Sequence, residues 1–322
     1  MDGIRRRGFL AGCAAGLIAL AAVACTGGGT GPDRGASPSP SPSSGAPGAN
    51  VLAVKIDNVG AARPQTGLQD ADIVYAEQVE GGLSRLMAVF GADRPAVVGP
   101  VRSARETDLE LLRQFDRPTF AYSGAQHKLL PLIAAAPLRA VPPGKAADGA
   151  YFRGGDRPPP HNLYLRPRKL AGTAGGSGAG AAAGFRFAAR VPAGGTPVTE
   201  ETVRFPAARF GFVWSARRHR WLVSMDGHPA TLTGGSRLAA ATVVVQYVDV
   251  EPSRFHDKLG STTPLSHTVG SGRALVLRDG RSFDARWDRR AATDGTTFTA
   301  ADTGKPLPFA PGQVWVVLAA KQ

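Results

Sequence analysis

The chain has 322 residues, 43% of them hydrophobic and 20% charged, with a formal charge of +13. That length supports one large or two ordinary domains with real cores, and that composition excludes a disordered chain. Only two cysteines occur, Cys13 and Cys25, both ahead of the first foldable segment. Neither a disulfide framework nor a cysteine metal site is therefore available to the body. No basic run carries interleaved aromatics, so no nucleic-acid partner is expected despite the positive charge.

Residues 1–25 read as an export signal rather than as structure. Arg5, Arg6 and Arg7 form a basic start, and Ala11 to Ala24 is apolar or small but too short for a lasting membrane span. Arg6-Arg7-Gly8-Phe9-Leu10 resembles part of a twin-arginine signal. Ala22-Val23-Ala24-Cys25 resembles a lipobox, which marks Cys25 for lipidation and makes the membrane a partner through a lipid anchor. Residues 26–49 are rich in Gly, Ser and Pro and carry no apolar periodicity, as in a disordered tether.

An N-terminal α+β domain is expected over 50–170. Val51 to Asp57 reads as a buried strand and Arg63 to Gly67 as a turn. Residues 73–90 read as two strands joined at Gly81-Gly82. A two-residue turn there sets Glu80 against Leu83, Gln78 against Arg85 and Glu77 against Leu86. That register puts Glu77 and Glu80 on opposite faces, with Glu80 diagonal to Arg85. Ser103 to Glu106 reads as a capping box with Ser103 as N-cap, opening a helix that runs to about Phe115. A strand over 119–123, a helix over 126–135 and a short helix through 168–170 follow.

The Gly/Ala run 171–184 reads as a linker or flexible insertion. A β-rich domain is expected over 185–322. Its hairpin signals lie around the basic loop 217–220 and around Asp279-Gly280, and its strands include 242–250 and 313–318. The fold class is α+β: a mixed N-terminal lobe with a sandwich-like sheet, then a mainly β C-terminal lobe.

VKIDN at 54–58, RPQTGL at 63–68, the stretch 71–90, GPVRSAR at 99–105 and PHNLY at 160–164 resemble the YerB-like bacterial lipoproteins. That family has a domain of unknown function in an N-terminal and a C-terminal part. The resemblance implies a membrane-anchored, extracytoplasmic protein with an α+β sandwich-like fold. It brings no reaction, cofactor, substrate or catalytic residue.

The chemistry has three candidate carriers. Arg102 and Arg105 flank Ser103 at the expected helix start, and guanidinium groups suit phosphate or carboxylate. Arg63, Arg85 and Arg153 lie in other motif-like segments and are expected to converge there. The competing reading is that these arginines pair with Glu77, Glu80, Glu106 and Asp108 and only stabilise the fold. Glu77, on an apolar strand face, needs an arginine partner or a raised pKa, and with Glu80 is a candidate for proton transfer. His161, after three prolines, and Asn162 form the third candidate, a rigid loop facing either a ligand or the backbone. No metal or cofactor is expected: six histidines lack zinc spacing, and no phosphate loop, dinucleotide fingerprint or nucleophile elbow occurs. Two functions remain open. One is a binding or scaffold protein with an Arg-lined pocket for an anionic cell-wall or lipid-linked ligand. The other is an envelope hydrolase or phosphoryl transferase using Glu77, Glu80 or His161.

Overall fold

The computed structural model describes residues 51–170, 178–257 and 260–321. The expected signal sequence, the expected lipidation position Cys25 and the expected tether lie outside the described residues. Ser44–Gln322 is one compact unit, and every described strand and helix lies within it.

Ten strands form the path of the main sheet: β1 (Leu52–Asp57), β2 (Ile73–Gln78), β3 (Ser84–Phe90), β4 (Thr119–Ala121), β5 (Arg139–Ala140), β6 (Thr242–Val248), β7 (Gly270–Arg278), β8 (Arg281–Arg289), β9 (Thr297–Ala300) and β10 (Val314–Ala320). Their order is β9-β8-β7-β6-β10-β2-β3-β1-β4-β5, with Thr196–Pro197 added on β8. β10 runs parallel to both β2 and β6, and β1 runs parallel to β4. β1, β2, β6 and β10 are buried along most of their length, as their unbroken β-branched and aliphatic runs require.

Two cores flank this sheet. On one face Ala53, Tyr75, Met87, Val244, Trp287 and Val316 meet Leu111, Phe115 and Ile133 from the helices. These helices are α1 (Glu106–Leu111), which continues as a 3-10 turn over Leu112–Phe115, and α2 (Leu130–Ala135). On the other face Val54, Ala76, Leu86, Val245 and Trp315 meet Phe210, Phe212, Trp221 and Val223. Those last four belong to a smaller antiparallel sheet built on Glu200–Phe205, Ala208–Ser215 and Arg220–Met225.

The described chain is therefore mostly strand, mixed with helix in its N-terminal part and β-rich in its C-terminal part. The strands expected around 210–223 and 274–287 pair as hairpins. Asp279 and Gly280 take the positive φ values (51° and 71°) of a type I′ turn. Both halves share one sheet and both cores. The second part of the Gly/Ala run departs from a flexible insertion. Ala179–Ala182 forms a helical turn, α3, whose first N–H donates to Asp72 Oδ2 at 2.6 Å. Ala179 and Ala183 are buried. Residues 171–177 lie outside the described residues.

The β2–β3 connection also differs from the expected two-residue turn. Glu80–Gly82 forms a 3-10 turn within a five-residue loop closed by Val79 N–H to Leu83 O. Glu77 consequently faces Arg85 and Ala76 faces Leu86. A one-residue slip exchanges the faces of a whole strand. Here it brings Arg85 onto the helix-covered face together with Glu77, and Asp57 of β1 stands opposite Arg85 in the strand register on the other side.

Candidate functional site

β1, β2 and β4 run in the same direction, and their carboxyl ends open into one cleft of about 530 Å³. The space beyond the carboxyl ends of parallel strands is where open sheets commonly bind ligands, and the volume suits a small molecule. Asp57 ends β1, Glu80 and Leu83 come from the β2–β3 turn, and Arg85 from the start of β3. Arg102, Ser103 and Arg105 come from the segment entering α1, and Phe255, His256 and Thr263 close the far wall.

Three of the expected arginines thus meet in one place. Arg102 Nε lies 3.1 Å from Asp57 Oδ2. Arg105 grips Glu80 through two contacts, Nε to Oε1 at 2.6 Å and Nη2 to Oε2 at 2.8 Å. Arg85 differs. Its Nη1 donates to the Ser103 carbonyl at 3.0 Å, and no carboxylate among the described residues lies within ion-pairing distance of it. Yet Arg85 is only 9% exposed. Burial, with Arg105 and then Arg102 as like-charged neighbours, pushes its pKa down to about 9 despite Glu80 and Asp57 nearby. It stays charged at neutral pH, facing the cleft.

The carboxylates have settled partners. Burial pushes Glu80 upward, but the Arg105 fork and the Thr263 hydroxyl outweigh it and hold the carboxyl below its usual range. Glu77 lies beneath the cleft floor, fully buried, and does not line the cleft. Its Oε2 accepts from Lys55 Nζ at 2.8 Å, and Lys55 also donates to Asp108 Oδ1 at 2.7 Å. Burial raises the Glu77 carboxyl to about 7; Lys55 opposes the rise and Asp108 adds to it. Asp108 Oδ2 in turn accepts the Arg105 N–H at 2.7 Å. The helix cap is therefore Arg105 with Asp108, rather than Ser103 with Glu106. Glu106 instead accepts from the Ser253 hydroxyl. Ser103 keeps a place in the cleft wall.

The remaining candidates lie elsewhere or act indirectly. Arg63 is outside the cleft lining and pairs with Asp226 at 2.8 Å, tying its turn to the smaller sheet. His161 Nδ1 sits 2.8 Å from Asp57 Oδ2, so it supports the carboxylate that holds Arg102. Asn162 Oδ1 accepts from Arg153 Nη1 at 2.7 Å, and Asn162 Nδ2 donates to the Gly154 carbonyl. Arg153 faces a neighbouring cleft of about 400 Å³ that shares Arg102 and Pro160 with the first. The sequence offers Asp108 only as a partner for arginine and gives no role to Lys55 or Asp57. Its available signal was the alternation of Lys55 and Asp57 in an otherwise apolar run, since a charge on a buried strand needs a partner. Among the described residues no cluster of His, Cys, Asp and Glu has the makings of a metal site.

A helix-backed mixed sheet, covered on its other face by a small antiparallel sheet and carrying an arginine-lined cleft at its strand ends, defines a mixed α/β architecture with no assigned chemistry. The chain belongs to the family described as "Protein of unknown function (DUF3048)". Its N-terminal domain matches residues 39–180 and its C-terminal domain residues 201–316. Over 117 residues the chain is 40% identical to the "Putative lipoprotein YerB" of Bacillus subtilis (strain 168). That match covers 35% of this chain and 34% of the relative, so the chain spans about a third of the curated relative's length. The crystal structure of YerB from Bacillus subtilis shares the fold, with a TM-score of 0.67 at 22% identity over 84% of this chain and 91% of the other.

Proposed function

We propose that the chain is a cell-envelope binding protein, exported and anchored outside the membrane by lipid on Cys25, whose cleft takes a single phosphate or carboxylate group. Arg85 is the principal contact, with Arg102, Ser103 and Arg105 shaping the approach. Arg85 itself is the observation that carries this reading. A guanidinium this buried, repelled by two neighbours and with no described carboxylate at ion-pairing distance, costs stability unless something else answers it. The groups an enzyme would use for proton transfer are otherwise engaged: Glu77 beneath the floor with Lys55, Glu80 with Arg105, His161 with Asp57. No observation favours the catalytic alternative.

The anchor rests on residues 22–25 and on the lipoprotein name of the relative. Among the described residues, no helix is long and apolar enough to cross a membrane. Cys25→Ala is expected to abolish labelling by a radioactive fatty acid and to shift the protein from the membrane fraction to the soluble one. Unchanged membrane retention would remove the anchor from the proposal.

The anion site is tested by calorimetric titration of inorganic phosphate into the compact unit, residues 44–322. Arg85→Gln is expected to weaken binding about 10- to 100-fold, the range for a lost charge-assisted hydrogen bond. The same variant is expected to match or exceed the wild-type Tm in phosphate-free buffer. A large fall in Tm without a binding change would make Arg85 structural and end the proposal.

A further inference from the structure

The charges around Arg85 restrict what else a ligand can carry. Asp57 and Glu80 are matched by Arg102 and Arg105, and Glu106, which accepts from the Ser253 hydroxyl, adds a third carboxylate to the lining. A polyanion entering beside Arg85 meets these carboxylates, so the cleft suits one anionic group rather than several. Val59, Val79, Leu83, Ala125, Leu129 and Phe255 give the lining an apolar part, beside the polar Ser84, Gln126, His256 and Thr263. Leu83 is 41% exposed, one of few large hydrophobic residues in the described chain left so open. It stands in the turn that also supplies Glu80, three residues before the strand position after Arg85. Leu130, equally exposed, follows the lining residue Leu129. A volume of about 530 Å³ also far exceeds the needs of a bare inorganic anion.

We infer that the ligand is amphipathic: one phosphate or carboxylate head on Arg85, with an aliphatic chain lying against Val79, Leu83 and Leu129. This rests on the anion-site reading above and extends it from a charge to a class of molecule. A lipid-linked phosphate and a free acyl carboxylate share this chemistry. Shape and charge act together here: the head fixes orientation through one guanidinium, and the chain adds affinity through buried area.

The test titrates two soluble series into residues 44–322 and two variants: methyl, propyl and hexyl phosphate, and acetate, butyrate and hexanoate. In the wild type, affinity is expected to rise along a series, up to about fourfold for each methylene fully buried. Arg85→Gln is expected to weaken binding of every member about 10- to 100-fold. Leu83→Ser, at an exposed position and therefore foldable, is expected to leave methyl phosphate or acetate within twofold while flattening the dependence on chain length. The tighter series identifies the head group. If methyl phosphate or acetate binds through Arg85 but hexyl phosphate and hexanoate gain less than twofold, the amphipathic ligand is wrong and the anion site stands. If no member binds, or Arg85→Gln changes nothing, both fall.

Discussion

Lys55 is the residue on which the cleft floor depends. It stands at zero exposure between Glu77 and Asp108, and Asp108 also takes the Arg105 N–H. Removing one member of a buried ion group strands the others without solvent, at a cost of about 3–5 kcal/mol. Lys55→Met is expected to lose that much stability in urea unfolding, and adding Glu77→Gln is expected to restore part of it. Strict additivity of the two changes would show that they do not interact. The same group sets a pH dependence. The Glu77 carboxyl has a higher pKa in the folded protein, about 7, than the 4.5 of an unperturbed group, because burial disfavours its charge. The folded state therefore binds the proton more tightly, and this contribution is complete below pH about 4.5 and lost as the pH rises through 7. Glu77→Gln, which keeps an acceptor for Lys55, is expected to flatten the decline in urea midpoint between those limits. Equal slopes for the two proteins would count against it. Charge alternation in VLAVKID made a partner for Lys55 legible. Which carboxylates answer it was not, because Glu77 and Asp108 lie 22 and 53 residues away.

At the scale of elements, the β2–β3 hairpin decides which charges reach the cleft. Strand identity was readable from apolar runs at 73–78 and 84–90. Register was not, because a Gly-Gly pair fits a two-residue turn as readily as the five-residue loop observed, and the choice is made by packing outside the hairpin. Gly81 and Gly82 both have positive φ, 66° and 71°, but only one is hemmed in. A Cβ on Gly81 meets nothing within 4 Å, whereas one on Gly82 falls 2.6 Å from Pro206 Cβ and 2.9 Å from Ala207 N. The Gly82 carbonyl also accepts the Ala207 N–H. Gly81→Ala is therefore expected to cost about 1–2 kcal/mol from backbone conformation alone. Gly82→Ala carries that cost plus about 1–3 kcal/mol of overpacking, and displaces Glu80 and Leu83 from the cleft. Equal unfolding free energies for the two variants would argue that the turn does not dock on 206–207. The helix start shows the same limit. Ser103-Ala104-Arg105-Glu106 satisfies a capping pattern by letter, but the helix starts later, with Arg105 as N-cap and its N–H donating to Asp108, while Glu106 turns to Ser253.

At the scale of the molecule, the last strand joins what the sequence presents as two halves. β10 inserts between β2 and β6, parallel to both. Pairing across some 240 residues leaves no local trace, so composition separated a helical half from a β half while the backbone interleaves them. Trp315 sits at the centre of this join. It is fully buried, packs its ring against Phe210 and Phe212, and donates Nε1 to Gln313 Oε1. Gln313 Nε2 in turn reaches the carbonyls of Leu68 and Ala71. A perturbation here acts on both cores' shared layer, so the halves are expected to melt together. Trp315→Ala is expected to cost about 3–5 kcal/mol, the range for truncating a buried aromatic. That loss should appear in a single transition, with far-UV circular dichroism and the fluorescence of the remaining tryptophans giving coincident curves. Those tryptophans report widely: Trp214 and Trp221 from the smaller sheet, Trp287 from β8. If fluorescence fell well before the dichroism in the variant, the smaller sheet would be separating from the main one. The shared core would then be two domains in contact. Coincidence would also explain why a cleft built mainly from N-terminal residues recruits Phe255 and Thr263 for its far wall. β2, one of the strands whose carboxyl ends frame the cleft, is held between β3 and β10, so the join at β10 is part of what supports the cleft.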